Sequence, residues 1–274
     1  MRLAGVHLYP VKSLRGVDVP HATVEPWGLR GDRRWLLLNP DGTYLTARDE
    51  HRMLGVTATP ADDGAVRLVG LDGATLKVTP PVDGEFTATS TSRLETVRLA
   101  APEAHEWFSA QFGRPLRLGW LDDPRRRSVS EQHGGLPGDV VNLADVGPLL
   151  LTTAASLGRL NDWIAEGAVE RGEQLPEPLP MSRFRPSVIV DGDQAPFAED
   201  GWDGVRIGGV EFRVSGTCDR CVLTTIDART YRTGKEPIRT LSRHRKRDGK
   251  VYFGVWLVPQ GNGTIAVGDE VTPL

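Results

Sequence analysis

Cysteine is scarce in this chain. Its two cysteines, Cys218 and Cys221 among 274 residues, stand too close together to staple distant segments, which excludes a secreted disulfide framework and favours a reducing, cytoplasmic setting. No window approaches the ~20 apolar residues of a membrane span, and the opening residues Met1 to Pro10 hold too short an apolar stretch for a signal peptide. No membrane association is expected. Surplus positive charge is absent too: 33 Lys and Arg face 36 Asp and Glu, a net charge of −3, so no global field advertises nucleic acid or a lipid surface. Internal repeats and low-complexity tracts are missing. What remains is 39% hydrophobic and 25% charged, with 31 Gly and 20 Pro and only 7% aromatics, the profile of a turn-rich globular protein. At ~100–200 residues per domain the length allows one large domain or two ordinary ones.

Turn chemistry organises the first hundred residues. Asn39-Pro40-Asp41-Gly42 separates two strand-like runs, 35–38 and 43–46, as a tight reversal requires. Asp72-Gly73 between 66–71 and 74–78 reads as a type I′ hairpin. Pro102 opens a helical run that Gly113 closes. A second helix is expected from Thr152 or Thr153, with Leu157, Leu160 and Ile164 at helical spacing and Gly167 beyond its end. Residues 166–180 read as an exposed polar, Pro-rich loop. Strands return at 187–190, 205–207, 210–214, 222–226, 251–257 and 264–267, with Gly208-Gly209 as a hairpin turn. The pattern predicts a mainly β, α+β protein in two halves, 1–119 and 120–274.

The sharpest chemical feature is Gly216-Thr217-Cys218-Asp219-Arg220-Cys221, where a glycine-led turn brings two thiols beside an arginine. A neighbouring guanidinium favours the thiolate, the form that ligates metals and attacks electrophiles. A structural zinc site would want about four ligands, and neither a second CxxC nor histidines at ligand spacing are present. A thioredoxin-like dithiol should open a helix, whereas Val222 to Ile226 read as a strand. Two small buried residues are the plain alternative. Three further segments place cations beside Pro or Gly: Tyr9-Pro10-Val11-Lys12-Ser13-Leu14-Arg15-Gly16, Gly31-Asp32-Arg33-Arg34-Trp35 and Ser182-Arg183-Phe184-Arg185-Pro186. Converging Lys, Ser and Arg donors would clamp a phosphate; singly, each is an ordinary surface cluster. Arg125-Arg126-Arg127 and the run Arg243-His244-Arg245-Lys246-Arg247 are two more basic clusters, the second read as an exposed loop suited to an acidic partner.

These motifs, in this order and with Asn142-Leu143-Ala144-Asp145 and the closing 263–269 segment, resemble the MOSC family over almost the whole chain, in particular members with an N-terminal β-barrel domain. The resemblance implies an N-terminal β-barrel-like domain packed on a C-terminal MOSC β-barrel domain, and the molybdenum cofactor, Mo-molybdopterin. It makes Cys221 the thiolate ligand of molybdenum, a soft donor. It places Lys12, Ser13, Arg33 and Arg185 at the cofactor's phosphate and pterin ends, with Asp145, Asp219, Arg220 and Trp256 as lesser contacts. The implied activity is reduction of a small N-hydroxylated or N-oxide substrate, its electrons coming from a separate ferredoxin, flavodoxin or cytochrome b5-like protein. Neither nucleic acid nor membrane is an expected partner. Ser187 and Trp256 depart from the Asn and Tyr found in reductases of the family, which bears on the pocket and substrate. A sulfur carrier using a Cys221 persulfide, a non-catalytic molybdopterin carrier and, remotely, pyridoxal phosphate on Lys12 are the competing readings.

Overall fold

Four buried residues in a row, Trp35 to Leu38, mark a strand covered on both faces, and the first sheet is built around it. In the computed structural model, which describes residues 1–274, the chain forms two compact units interleaved in sequence. One comprises Leu8–Asp18 and Trp27–Val146, the other Met1–His7, Val19–Pro26 and Gly147–Leu274. In the first, the antiparallel strands Phe86–Ala88, Thr96–Leu99, Arg117–Trp120, Trp35–Leu38 and Tyr44–Leu45 lie side by side in that order. Leu36, Leu38, Leu94, Val97, Leu121 and Leu143 fill its core. A meander of Thr57–Pro60, Val66–Val69 and Thr75–Val78 accompanies the sheet. Helix α1, Pro102–Phe112, starts at its proline and stops on Gly113 at φ 68°, as the sequence predicts.

The second unit is a mixed sheet with strands in the order Arg2–Leu8, Val188–Asp191, Leu149–Thr153, Lys250–Pro259, Val210–Asp219, Gly204–Ile207 and Val271–Pro273. Helix α2, Ala154–Glu170, links the parallel neighbours Leu149–Thr153 and Val188–Asp191, the crossover that a parallel pair requires. Helix α3, Ile238–His244, joins α2 over Phe184 and Phe253, with Leu160, Ile164 and Leu241 between them. Separately, Gly263–Ala266 pairs with His21–Glu25. The protein is thus mostly β, with three helices, and no helix is long and apolar enough to cross a membrane.

Three local expectations fail for identifiable reasons. Residues 222–226 form no strand: Val222–Thr225 is a 3-10 turn whose Thr224 and Thr225 hydroxyls donate to the carbonyls of Cys221 and Val222. β-branched threonines read as strand formers, yet their hydroxyls offer the backbone a local alternative. Gly167 does not end α2; it is buried within it, and the helix runs on to Glu170, so the following loop starts later. Asp72-Gly73 is not a type I′ pair, because only Gly73 takes a positive φ and Gly70 and Ala74 are the last residues bonded. The result is a three-residue loop.

Candidate functional site

Lys12 is anchored in the first unit by both backbone and side chain. Its N–H donates to Trp35 O at 2.7 Å, and Leu14 N–H closes a turn onto Val11 O. This puts Ser13 at φ 70°, a position that normally selects glycine. The Lys12 ammonium, with the residue 8% exposed, donates to Leu143 O at 2.8 Å and to the Asp145 carboxylate. Burial pulls the lysine below its usual value while Asp145 opposes that pull. The ammonium holds the Asp145 carboxyl well below the ordinary carboxylate range, and Arg48 at 3.7 Å adds to the effect.

Asp32, fully buried, is the hub beside this pair. Its carboxylate accepts from Tyr9 N–H at 2.7 Å, from Asn142 Nδ2 at 3.3 Å and from Arg33 Nη1 at 2.5 Å. Arg33 sits at φ 45°, its guanidinium 4.7 Å over the Tyr9 ring. The segments 9–13, 32–35 and 142–145 are further laced by Arg33 N–H to Tyr9 O and Leu143 N–H to Arg33 O, both 2.9 Å. Lys12 and Arg48 pair with Asp145 and Arg33 pairs with Asp32, while the buried Arg127 lies in the field of Asp145. This gathering of cations offers donors suited to an anion of phosphate type.

The second unit carries the thiols. Cys218 is buried and Cys221 exposed. Burial pushes the Cys218 thiol up to about 11 despite Arg220, whose Nη1 donates to Cys218 Sγ at 2.8 Å and whose Nη2 donates to Phe184 O at 2.7 Å. The guanidinium expected to activate a thiolate is therefore turned toward the inner thiol. Asp219 pairs with Lys250 at 3.3 Å. Arg185 ends the 3-10 turn Met181–Phe184 at φ 54°, so three of the eight non-glycine residues with positive φ are Ser13, Arg33 and Arg185. Such conformations persist where surrounding structure over-determines them, often at binding sites. The Trp256 indole N–H and the Arg220 Nε–H are buried donors without a protein acceptor, and Trp256 packs so closely on Gly147 that a Cβ there would lie 2.9 Å from the Trp256 Cβ and 3.2 Å from its ring. Ser187, fully buried, is spent on the sheet: its hydroxyl accepts from Leu150 N–H at 3.2 Å.

The predicted residues thus fall into two sets. Lys12, Ser13, Arg33 and Asp145 gather in one unit, whereas Arg185, Asp219, Arg220, Cys221 and Trp256 belong to the other. Sequence reasoning missed Asp32 and Asn142 as the hub of the first set, although both lie in quoted motifs, and it missed Arg48 and Arg127. The basic run 243–247 is largely consumed locally: Arg243 pairs with Glu170 at 3.0 Å, and Arg245 and Arg247 with Asp200. No group of three or more His, Cys, Asp and Glu gathers in metal-binding geometry.

Comparison with known proteins places these residues in context. The sequence pattern of the MOSC domain matches residues 138–272, and that of the MOSC N-terminal beta barrel domain matches residues 1–115. The chain is 31% identical to mitochondrial amidoxime-reducing component 1 of Homo sapiens, over 98% of this chain and 82% of that protein. It is 30% identical to mitochondrial amidoxime reducing component 2 of Rattus norvegicus, over 97% and 81%. With molybdenum cofactor sulfurase of Danio rerio it shares 30% identity over 99% of this chain, which spans only 34% of that longer protein.

Proposed function

Because the chain belongs to the MOSC family, we propose that it binds the molybdenum cofactor and reduces small N-hydroxylated or N-oxide compounds with electrons from a separate donor protein. The observation that carries this reading is the inequality of the two thiols: one is exposed, the other buried and protonated at neutral pH. One available thiol suits a single-sulfur metal ligand and argues against a redox dithiol. The residues fit the group. The cluster of buried and half-buried cations around Lys12 suits its phosphate, and buried donors lacking acceptors at Trp256 and Arg220 suit its heteroaromatic end.

When bound, the cofactor would supply oxygen-atom transfer and two-electron chemistry at molybdenum. The chain's own residues bind and orient. Lys12, Ser13, Arg33 and Arg185 are assigned to the phosphate and pterin ends, and Cys221 to the metal. Asp145 keeps the Lys12 ammonium aimed, and Asp32 does the same for Arg33. Arg220 holds Cys218 and Phe184 together, fixing the turn on which Cys221 stands, and we assign it that positioning role. Asp219 and Trp256 keep their place as lesser contacts.

Expression in a molybdopterin-competent host tests this. The expected outcome is co-purifying molybdenum and pterin, with reduction of a simple amidoxime by a reduced viologen. Cys221→Ser should lose metal or turnover, since a hard hydroxyl replaces a soft thiolate. Cys218→Ser should keep both, at a packing cost on the order of 1 kcal/mol. Equal loss in both variants, each folded and loaded, would revive the dithiol. Metal-free protein carrying sulfane sulfur on Cys221 would favour the sulfur carrier, and loaded protein inert toward a panel of N-oxygenated compounds would favour a cofactor carrier.

A further inference from the structure

The run Arg125-Arg126-Arg127 divides sharply in the fold. Arg125 and Arg126 are exposed, whereas Arg127 is 2% exposed. Burial lowers its ionisation to about 10, so it stays a cation at neutral pH, and a buried cation is costly unless its donors are satisfied. All its hydrogen bonds run to main-chain carbonyls. Nε donates to Ser92 O at 3.1 Å, while Nη1 donates to both Asn142 O and Ala144 O, the latter at 2.7 Å.

Those last two carbonyls bracket Leu143, whose own carbonyl receives the Lys12 ammonium at 2.8 Å, and they precede Asp145, the carboxylate paired with that ammonium. The backbone of 141 adds a return bond, Val141 N–H to Arg127 O at 2.9 Å. The guanidinium therefore fixes the segment that supplies both acceptors of the Lys12 side chain. We propose that Arg127 is a positioning residue for anion binding, acting through residues 142–145 to hold the Lys12 ammonium where a phosphate group meets it. The inference rests on the assignment of Lys12 to a phosphate. It goes beyond that assignment by giving a buried arginine, which touches no ligand itself, control over the lysine.

A double-mutant cycle on the full-length cofactor-free protein tests it, with inorganic phosphate as the probe and calorimetry as the readout. The Lys12 Cε resonance, one of five lysines in the chain, reports the ammonium directly in 13C-lysine-labelled protein. Arg127→Met and Lys12→Met are each expected to weaken phosphate binding at least tenfold, and the double variant to bind no more weakly than Lys12→Met alone. In Arg127→Met the Lys12 resonance should move toward those of the exposed lysines. Wild-type phosphate affinity in folded Arg127→Met would overturn the proposal by reducing the arginine to a strut. So would losses that multiply in the double variant, because Arg127 would then act independently of Lys12. Should Arg127→Met fail to fold, Arg127→Lys keeps the charge but not the fork, and a loss of at least threefold is expected; wild-type affinity there would likewise overturn the proposal. Absence of phosphate binding and of any Lys12 response in the wild type would instead overturn the phosphate assignment itself, and the inference with it.

Discussion

Two thiols three residues apart in sequence meet different solvents. Cys218 lies in the sheet, donates to Asp219 O at 3.5 Å and stays protonated to about 11, while Cys221 is exposed one residue past Arg220. Maleimide or iodoacetamide at pH 7.5 should therefore add once to the native protein, at Cys221, and twice only after denaturation. Intact-mass spectrometry with peptide mapping reads this directly, and rapid double labelling of native protein would contradict the buried assignment. The sequence makes the CxxC legible as a candidate site but cannot rank its members, since the difference comes from what covers each sulfur. The same limit applies to Lys12 and Asp145. Both stand in short polar motifs, yet their ion pair closes over 133 positions. Arg127 lay beyond reach for a further reason: its acceptors are main-chain carbonyls, a group every residue carries and no motif records.

Among the elements, α1 is legible to its ends because Pro102 and Gly113 punctuate it, whereas α2 is legible only at its start. Thr153 caps that start, accepting from Ser156 N–H at 3.1 Å. Its far end escapes because Gly167 serves packing within the helix rather than termination. At the capped end, Glu199 is buried against Thr153 and Ser156, its carboxylate accepting from Ser156 Oγ at 2.7 Å, and burial raises its ionisation. A raised carboxyl contributes stability that is complete below the unfolded value, ~4.3, and lost as pH rises through the folded value. Ionising Glu199 thus costs stability as pH rises. Glu199→Gln should raise the urea midpoint at pH 7 relative to wild type, and the gain should vanish near pH 4. A midpoint unchanged at pH 7 and lowered at pH 4 would mean that the charge is better accommodated than its burial implies.

For the whole molecule the interleaving of units governs what can be divided. Arg2–Leu8 takes its ladder partner from Val188–Asp191, and His21–Glu25 takes one from Gly263–Ala266. Any single cut between residues 26 and 187 leaves both N-terminal strands without those partners. Fragments 1–119 and 120–274 expressed separately should each lack cooperative unfolding, and co-expression should restore a complex; a sharp thermal transition in fragment 1–119 alone would refute this. Such pairing is invisible along the sequence, because a strand's own residues state that it has a partner and not where the partner lies.

The pairing of His21–Glu25 with Gly263–Ala266 also sets a clock. On a ribosome adding ~5–20 residues per second, the segment that completes this ladder appears on the order of 10–50 seconds after the strand that awaits it. Throughout that interval Ala22 and Val24, buried in the finished protein, have no native ladder partner on that side. Translation speed and chaperone supply, and not only the stability of the final fold, should then bear on how much of the newly made chain reaches it.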